Sequence, residues 1–452
     1  MFGGNEILLP CLGATLALLL PALAAWPWAT RVLPGSSVAT RVCCAWPLGL
    51  AALSLGEFFG SFVAGLGMWS GLGALLLLAL SGWNRQALIR LQITWPKVSW
   101  LKLCVCLILI SLAGSAWFSM AKLGVQQGQI GVPCLGVWGL KAEAMGATQD
   151  IPWQQLQDHD QAWSHPEYPL HWPLVLYWLK LWSGGDSAAA LKWGQLLLGL
   201  GVACQCLWLL RERLAFDWPW AIGLTALVQL GLTSEQVNTQ LYAENLLLLS
   251  LIPALALSQE TGSGRTLSFL LFGAAAWTKQ EGLLCWLLIL LPLGFVALRA
   301  KSAKSFPWRP VFFTALLFVL PWRLICHQLE LGVHDFALSA YDPGKIRYAW
   351  IELKALHQPH WDGQIVLSLG VTLLLLWKWA GLRTPQRLLC LMFWPGLPLF
   401  FLVCFAFSTR DIEWHVGALD RLLYVCSLGA LALIAGIQRD THRIKLVREI
   451  SE

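Results

Sequence analysis

The chain has 452 residues, of which 57% are hydrophobic and 12% are charged, whereas a soluble domain carries about 25% charged residues. A soluble fold of this length could not bury so much apolar surface, so the composition excludes an ordinary globular protein. The formal net charge of +6 does not indicate nucleic-acid binding, because membrane proteins collect Lys and Arg in cytoplasmic loops.

Apolar runs of roughly 17 to 25 residues recur along the chain, and each is long enough to cross a hydrocarbon layer of about 30 Å. They predict an all-α polytopic membrane protein with about thirteen spans. The predicted spans are 7–25, 43–64, 66–82, 103–120, 186–210, 218–233, 243–258, 266–278, 280–298, 311–331, 364–380, 388–407 and 421–437.

The positions of the basic residues predict which ends of the spans face the cytoplasm. When the spans alternate in direction, every basic cluster falls on one side, so we assign that side to the cytoplasm. These clusters are Arg31/Arg41, 85–102, Arg211/Arg213, Arg265, 299–309, 378–387 and 439–448. The N-terminus is then external and the C-terminus cytoplasmic. The predicted division is 1–82 for extra N-terminal helices, 83–437 for the main transmembrane domain, and 438–452 for a cytoplasmic tail. Three external segments result, at 121–185, 332–363 and 408–420.

The first external segment carries two polar motifs. The sequence Trp-Gly-Leu-Lys-Ala-Glu occupies 138–143, and His-Pro-Glu-Tyr-Pro occupies 165–169. The two prolines of the second motif favour an extended turn, which leads into an apolar stretch over 170–182 that is too short to span. We predict that this stretch forms a helix at the membrane interface. A plain interfacial turn with solvated charges would produce the same pattern.

Two further motifs lie at the predicted external ends of spans. Tyr-Ala-Glu-Asn at 242–245 places a carboxylate at the edge of a low-dielectric region, where an ionisable group is costly unless it is paired or used. The simpler explanation of Glu244 is a helix-start carboxylate that the helix dipole favours. Thr-Lys-Gln-Glu-Gly at 278–282 predicts a tight turn, in which Lys279 and Glu281 neutralise one another or the lysine holds a lipid phosphate.

Two arginines lie where the positive-inside rule disfavours them. Arg323 follows a Pro-Trp pair at the outer end of its span, and Arg421 follows Asp420 in the last external loop, shortly after His415. Such positions suggest an anionic partner, which is either a ligand or a carboxylate of the protein itself.

Taken together, these motifs resemble those of the polytopic GT-C glycosyltransferases, which use polyprenyl-phosphate-linked sugars. The group includes bacterial aminoarabinose-lipid A transferases and protein O-mannosyltransferases. Proteins of that type carry W-x-x-K-A, H-P-D-Y-P, Y-A-D/E and T-K-N-E-G stretches, and a late Trp-His followed by Asp-Arg. The likeness extends over roughly residues 100–437. Each motif alone is weakly specific, whereas five of them in order on one predicted face are more specific.

The resemblance implies a GT-C-like bundle and an inverting transfer of sugar from a polyprenyl-phosphate donor to an acceptor glycan, lipid or protein. A carboxylate would take a proton from the acceptor hydroxyl, and basic residues would stabilise the departing lipid phosphate. The candidate bases are Glu143, Asp158, Asp160, Glu167 and Glu244. The candidate phosphate-binding and substrate-binding residues are Lys141, His165, Tyr168, Tyr242, Lys279, Glu281, Arg323, His415, Asp420 and Arg421.

One departure from the family pattern bears on activity. Members of the family usually carry an Asp shortly before the Trp of the first motif, and the corresponding stretch here, 131–138, contains no carboxylate. Either a carboxylate at a shifted position acts as the base, with Asp150 added to the candidates above, or the chain has lost transferase activity. The alternative function is then a GT-C-like scaffold that binds a polyprenyl lipid or another membrane protein without turnover.

A secondary transporter is a third class of function. It should show paired halves and broken helices with charges at mid-membrane, whereas nearly all charges here lie near predicted helix ends. Pro359 separates His357 from His360 and disrupts helical ligand spacing, so we assign no metal ligands, and a divalent metal cofactor stays open. The expected location is a bacterial cytoplasmic membrane, with the site facing the periplasm or exterior and in contact with membrane lipids rather than nucleic acid.

Overall fold

A computed structural model of the chain describes residues 4–83, 99–126, 135–158, 160, 164–185, 188–231, 241–299, 307–331, 338–355, 359–409 and 421–438. Helices dominate these residues, and no β-strand element occurs among them. Seven helices in these ranges are long and apolar enough to cross a membrane, and five shorter apolar helices accompany them. The structure therefore agrees with an all-α membrane protein, while the number of spans stays a prediction.

The helices are named here in chain order. They are α1 (Gly4–Val32), α2 (Val38–Ala64), α3 (Met68–Gly82), α4 (Trp100–Gln126), α5 (Leu140–Thr148), α6 (Trp153–Leu156), α7 (His171–Ser183), α8 (Ala188–Trp208), α9 (Trp218–Gly231), α10 (Glu244–Leu257), α11 (Ser263–Thr278), α12 (Gln280–Arg299), α13 (Trp308–Thr314), α14 (Leu320–Gln328), α15 (Gly344–Ala355), α16 (Pro359–Lys378), α17 (Thr384–Leu391), α18 (Leu397–Cys404) and α19 (Arg421–Gln438). Single π-helical turns precede α5, extend α8, and join α13 to α14 and α17 to α18.

One end of the bundle gathers residues that lie next to the predicted cytoplasmic clusters. Ser263 Oγ at the start of α11 donates a hydrogen bond to the last carbonyl of α1 at 2.6 Å. Ser37 Oγ, just before α2, donates to Glu212 at 2.5 Å. Arg213 pairs with Glu260 at 3.1 Å between the end of α8 and the start of α11. Stretches that are far apart in sequence thus meet at one end, as the predicted alternation of spans requires.

The opposite end gathers the polar motifs. The Leu66 amide, after α2, donates to the Gln149 carbonyl at 2.8 Å, and the Trp172 indole at the start of α7 donates to the Leu241 carbonyl at 2.8 Å. Helix α11 connects the two ends with 16 residues, a length of about 24 Å. The motifs and the basic clusters are therefore separated by the length of the helices. The assignment of the motif end to the outside of a cell stays a prediction.

The first three helices share a core with the rest of the bundle. Helices α1 and α2 pack against α7 and α8, and Leu18 is buried in the same apolar cluster as Trp172. The Trp178 indole of α7 donates to the Ala17 carbonyl at 2.9 Å. The described part of 1–82 is therefore packed into the main domain and is not a peripheral layer.

Helix α7 lies inside the protein and not on a membrane surface, which corrects the predicted interfacial location. Its bounds agree with the predicted 170–182, but every residue from His171 to Lys180 is buried between α1, α2, α5 and α8. An interfacial helix keeps one polar face in water, whereas a helix that is apolar on nearly all sides belongs in a core. Its composition suits both locations, and the packing of the N-terminal helices decides between them.

Candidate functional site

Five of the predicted site residues meet around one buried carboxylate. Glu244 begins α10, and its Oε1 lies 3.0 Å from Lys279 Nζ and 3.1 Å from Arg421 Nη1. Lys279 Nζ also lies 2.9 Å from Glu281 Oε1. The Arg421 guanidinium lies over the Tyr242 ring, 3.9 Å from its centroid. We call these five residues the ion-pair cluster.

A very tight turn holds Lys279 in this cluster. Helix α11 ends at Thr278 and α12 begins at Gln280, so Lys279 is the single residue between them, with extended backbone angles. A Cβ atom on Gly282 would lie only 2.0 Å from the Ala275 carbonyl oxygen, so only glycine permits this approach of the two helices. The turn predicted over 278–282 is confirmed, and it fixes where the ammonium points.

The charges of the cluster are largely removed from water. The exposed fractions of the side chains are 3% for Glu244, 11% for Lys279, 15% for Glu281 and 16% for Arg421. Two cations face two carboxylates, so the cluster is formally neutral, which offsets much of the cost of burying its members. Breaking the pairing would therefore cost far more than breaking an exposed ion pair.

Two oxygens of the cluster make no hydrogen bond. Within the described part of the chain, Oε2 of Glu244 and Oε2 of Glu281 are buried and have no partner. Buried polar atoms normally have one, and an ionised carboxylate oxygen can only accept. Among the described residues, these two oxygens therefore retain the capacity to accept a hydrogen bond.

A second group of predicted residues forms around the turn at 165–169. Lys141 Nζ donates to the His165 carbonyl at 2.6 Å, and His165 Nδ1 lies 3.2 Å from Glu167 Oε1. The His165 ring stacks on Tyr168 with centroids 4.6 Å apart, and Trp138 covers Tyr168 at 5.3 Å. We call these five residues the loop cluster. His165 has a φ of 51°, a left-handed conformation that is costly for a residue with a side chain and is found often at functional sites.

Helix α14 packs against the loop cluster through its contacts with the Glu167 carbonyl. The Trp322 indole donates to the Glu167 carbonyl at 2.9 Å, and Cys326 Sγ lies 3.9 Å from the same oxygen. Arg323 lies between these two residues in sequence and is half-buried. Among the described residues, none makes a hydrogen bond or ion pair with the Arg323 side chain. The helix thus brings a further cation to the same end of the bundle.

The pKa of Lys141 is shifted strongly. Burial lowers its pKa from 10.5 to about 8, against the opposing effect of the Glu167 carboxylate. The folded protein therefore binds fewer protons than the unfolded chain between the folded and unfolded pKa values. Stability consequently rises as the pH rises through this window.

This shift predicts a pH-dependent stability that Lys141 causes. In the wild type, Lys141 should make the apparent unfolding temperature in lipid nanodiscs rise between about pH 8 and 10. Lys141→Met has no titrating group at position 141, so its unfolding temperature should rise less over the same pH range. Lys141→Arg is the matched control that keeps the charge, since Arg does not titrate in this range, and it should also lack the gain. Equal pH dependence in all three proteins would contradict the shift.

One segment connects the two clusters. It runs from the turn at 165–169 into α7, where His171 Nδ1 lies 2.8 Å from Thr278 Oγ1, next to Lys279 in sequence. Sequence reasoning missed His171, although a histidine at the start of a short apolar helix beside a motif was a usable signal. It also missed Gln195, whose amide donates to the Tyr242 carbonyl at 3.0 Å.

Four candidate bases lie apart from both clusters. Glu143 is 43% exposed and forms an ion pair with Lys180, and Asp150 accepts a hydrogen bond from the following backbone amide at 2.7 Å. Asp158 and Asp160 are exposed, and Asp158 Oδ1 accepts from the Asp160 amide at 3.0 Å. These carboxylates cap turns or form ion pairs, whereas Glu167, Glu244 and Glu281 are the described candidate carboxylates that lie in the two clusters.

His415, Asp420 and His357 lie outside the described residues. Within the described ranges, no group of three His, Cys, Asp or Glu side chains is arranged to hold a metal ion.

Comparison of the chain with protein-family models, with curated proteins and with solved structures gives no match. The resemblance to the GT-C glycosyltransferases therefore stays a prediction that rests on the motifs.

Proposed function

We propose that the chain is a membrane glycosyltransferase, which transfers a sugar from a polyprenyl-phosphate donor to an acceptor hydroxyl at the motif end of the bundle. The main support is the convergence of three motifs on Glu244. Lys279 and Arg421 stand 35 and 177 positions away from it in sequence, yet both bond to the same carboxylate oxygen. Three of the five motifs on which the resemblance rests thus meet at one carboxylate.

The ion-pair cluster suits the charge changes of such a transfer. The acceptor oxygen forms a new bond to the anomeric carbon, and the bond from that carbon to the phosphate oxygen breaks with its electron pair. The phosphodiester, with one negative charge, leaves as a monoester with two. Proton uptake by a cluster carboxylate changes the cluster from neutral to one positive charge in the same step. Lys279 and Arg421 then stabilise the leaving phosphate.

The contacts assign different roles to the two carboxylates. Glu244 bonds to both cations, so we assign it the role of positioning Lys279 and Arg421. Among the described residues, Glu281 pairs with Lys279 alone, and its side chain is 15% exposed against 3% for Glu244. We therefore assign Glu281 as the proton acceptor, a role for which the sequence offered Glu143, Asp150, Asp158, Asp160, Glu167 and Glu244.

The proposal is tested with purified protein in lipid nanodiscs and radiolabelled polyprenyl-phosphate sugars. Release or transfer of the sugar is measured for the wild type, Glu281→Gln and Glu244→Gln. Turnover that these changes abolish would support a transferase centred on the cluster. Tight binding of donor lipids without release from any of them would reject it.

The second candidate function is a lipid-binding scaffold without turnover. It is favoured by the enclosure of Glu167, which is 3% exposed and lies between His165 and Trp322. An enclosed carboxylate cannot approach an acceptor without rearrangement of its surroundings. In this case polyprenyl phosphate would bind at the cations, and Lys279→Met would weaken binding although no sugar is released from any donor.

A further inference from the structure

A polar cleft opens between α5 and the C-terminal end of α7, apart from both clusters. Its volume is about 390 Å³, and its lining includes Glu143, Gly146, Gln149, Tyr177 and Lys180. This volume lies within the range of about 300–1,000 Å³ that is usual for small-molecule sites. Lys141 and Glu143 are two positions apart on α5, so they point to different sides of the helix. The cleft and the loop cluster therefore lie on different sides of α5.

The described lining residues combine donors and acceptors at zero net charge. Lys180, whose side chain is 8% exposed, forms an ion pair with the Glu143 carboxylate, which is 43% exposed. Gln149 is exposed, and its side-chain amide makes no hydrogen bond with any described residue. Its backbone is held in place by the bond from Leu66. An ammonium, a carboxylate and an amide thus line the same space.

The C-terminal ends of two helices border the cleft. Helix α5 ends at Thr148 before Gln149, and α7 ends at Ser183 before Gly184, with left-handed backbone at both following residues. The last carbonyl groups of a helix lack partners within it, and they carry partial negative charge. A negatively charged ligand would meet both helix ends and Glu143, whereas a positively charged one would meet Lys180.

We propose that this cleft binds an uncharged, hydroxylated ligand, namely a sugar unit. Hydroxyl groups both donate and accept hydrogen bonds, so one sugar can donate to Glu143 and accept from Lys180. It can also donate to the Gln149 side-chain oxygen and accept from its NH2 group. Naming this sugar as part of the acceptor rests on the proposed function. The binding itself does not depend on that function.

Gly146 offers a test that preserves the fold. A Cβ atom there meets only Lys180 Nζ, at 3.8 Å, so Gly146→Ala fits as a matched control and Gly146→Leu extends into the cleft. Both changes favour the helix, because glycine is a poor helix former. In nanodiscs, free glucose, galactose, N-acetylglucosamine and maltose are tested by saturation-transfer NMR. At least one sugar should bind to the wild type and to Gly146→Ala, and its binding should weaken at least about tenfold in Gly146→Leu and in Glu143→Ala.

The outcomes separate this inference from the proposed function. If no sugar of the panel binds, or if Gly146→Leu binds as the wild type does, the cleft is not a sugar site. Donor turnover is measured in the same samples as release of sugar to water, which needs no acceptor. Sugar binding that Gly146→Leu removes supports the cleft even when no donor is turned over. Donor release without any sugar binding rejects the cleft and leaves the transferase standing.

Discussion

Replacing Glu281 by glutamine should slow sugar transfer by about 10²–10⁴-fold, the usual contribution of a general base. The substituted amide would retain the size of the side chain but could not take up the acceptor proton. Because Glu244 still holds Lys279 and Arg421, binding of the donor lipid should change little. The measurements are the rate of transfer at saturating donor and the equilibrium binding of radiolabelled donor lipid, both in nanodiscs.

Glu260→Gln provides the matched control for this experiment. Glu260 also forms an ion pair, with Arg213 at 3.1 Å, but it lies at the opposite end of the bundle and is 23% exposed. Since the Arg213 side chain is 1% exposed, Glu260→Gln also removes the carboxylate partner of a buried cation. The transfer rate of the folded protein should nevertheless stay within about twofold of the wild type, because substitutions at distant sites act independently. A similar loss in both variants would show that the effect of Glu281→Gln is general damage to the protein and not a loss of proton transfer.

Replacing Lys279 by methionine should destabilise the protein by about 3–5 kcal/mol, because it removes one partner from a buried ionic cluster. Glu244 and Glu281 would then face Arg421 as the one remaining cation among the described cluster residues, with most of their surface out of water. The measurement is the apparent unfolding temperature and the denaturant dependence of unfolding in nanodiscs.

A double substitution identifies the cause of that destabilisation. Lys279→Met combined with Glu244→Gln removes one charge of each sign, so the loss should be clearly smaller than the sum of the two single losses. The exposed pair of Lys102 and Asp217, whose side chains are 51% and 61% exposed, supplies the control. Lys102→Met should leave the unfolding temperature unchanged, and additive losses in the cluster would contradict the ionic explanation.

The sequence predicts well the features that depend on residues close together in the chain. The apolar run 243–258 corresponds to α10, and the run 280–298 corresponds to α12. The sequence 278–282 predicts the pairing of Lys279 with Glu281 as one of two alternatives. Residues two positions apart in a tight turn lie near each other whatever the rest of the chain does.

The remaining contacts depend on tertiary packing, which spacing along the chain does not reveal. Nothing in the sequence near Glu244 specifies that Arg421 will bond to it. Likewise, the pairing of His171 with Thr278 spans 107 positions and requires α7 to lie in the core. The apolar character of 170–182 fits an interfacial helix and a buried one equally well, so its place became clear only from the packing of α1 and α2 around it.

The single-residue turn between α11 and α12 has a consequence for the biogenesis of the protein. If α11 and α12 span the bilayer as the sequence predicts, the single residue Lys279 between them requires that they insert together as a hairpin. Glu281 lies in the same turn and contacts the ammonium at 2.9 Å. The predicted hairpin would then insert with a neutral pair in its turn, at a lower cost than an isolated cation. Arg421, much later in the chain, completes the cluster only after its own helix has been made.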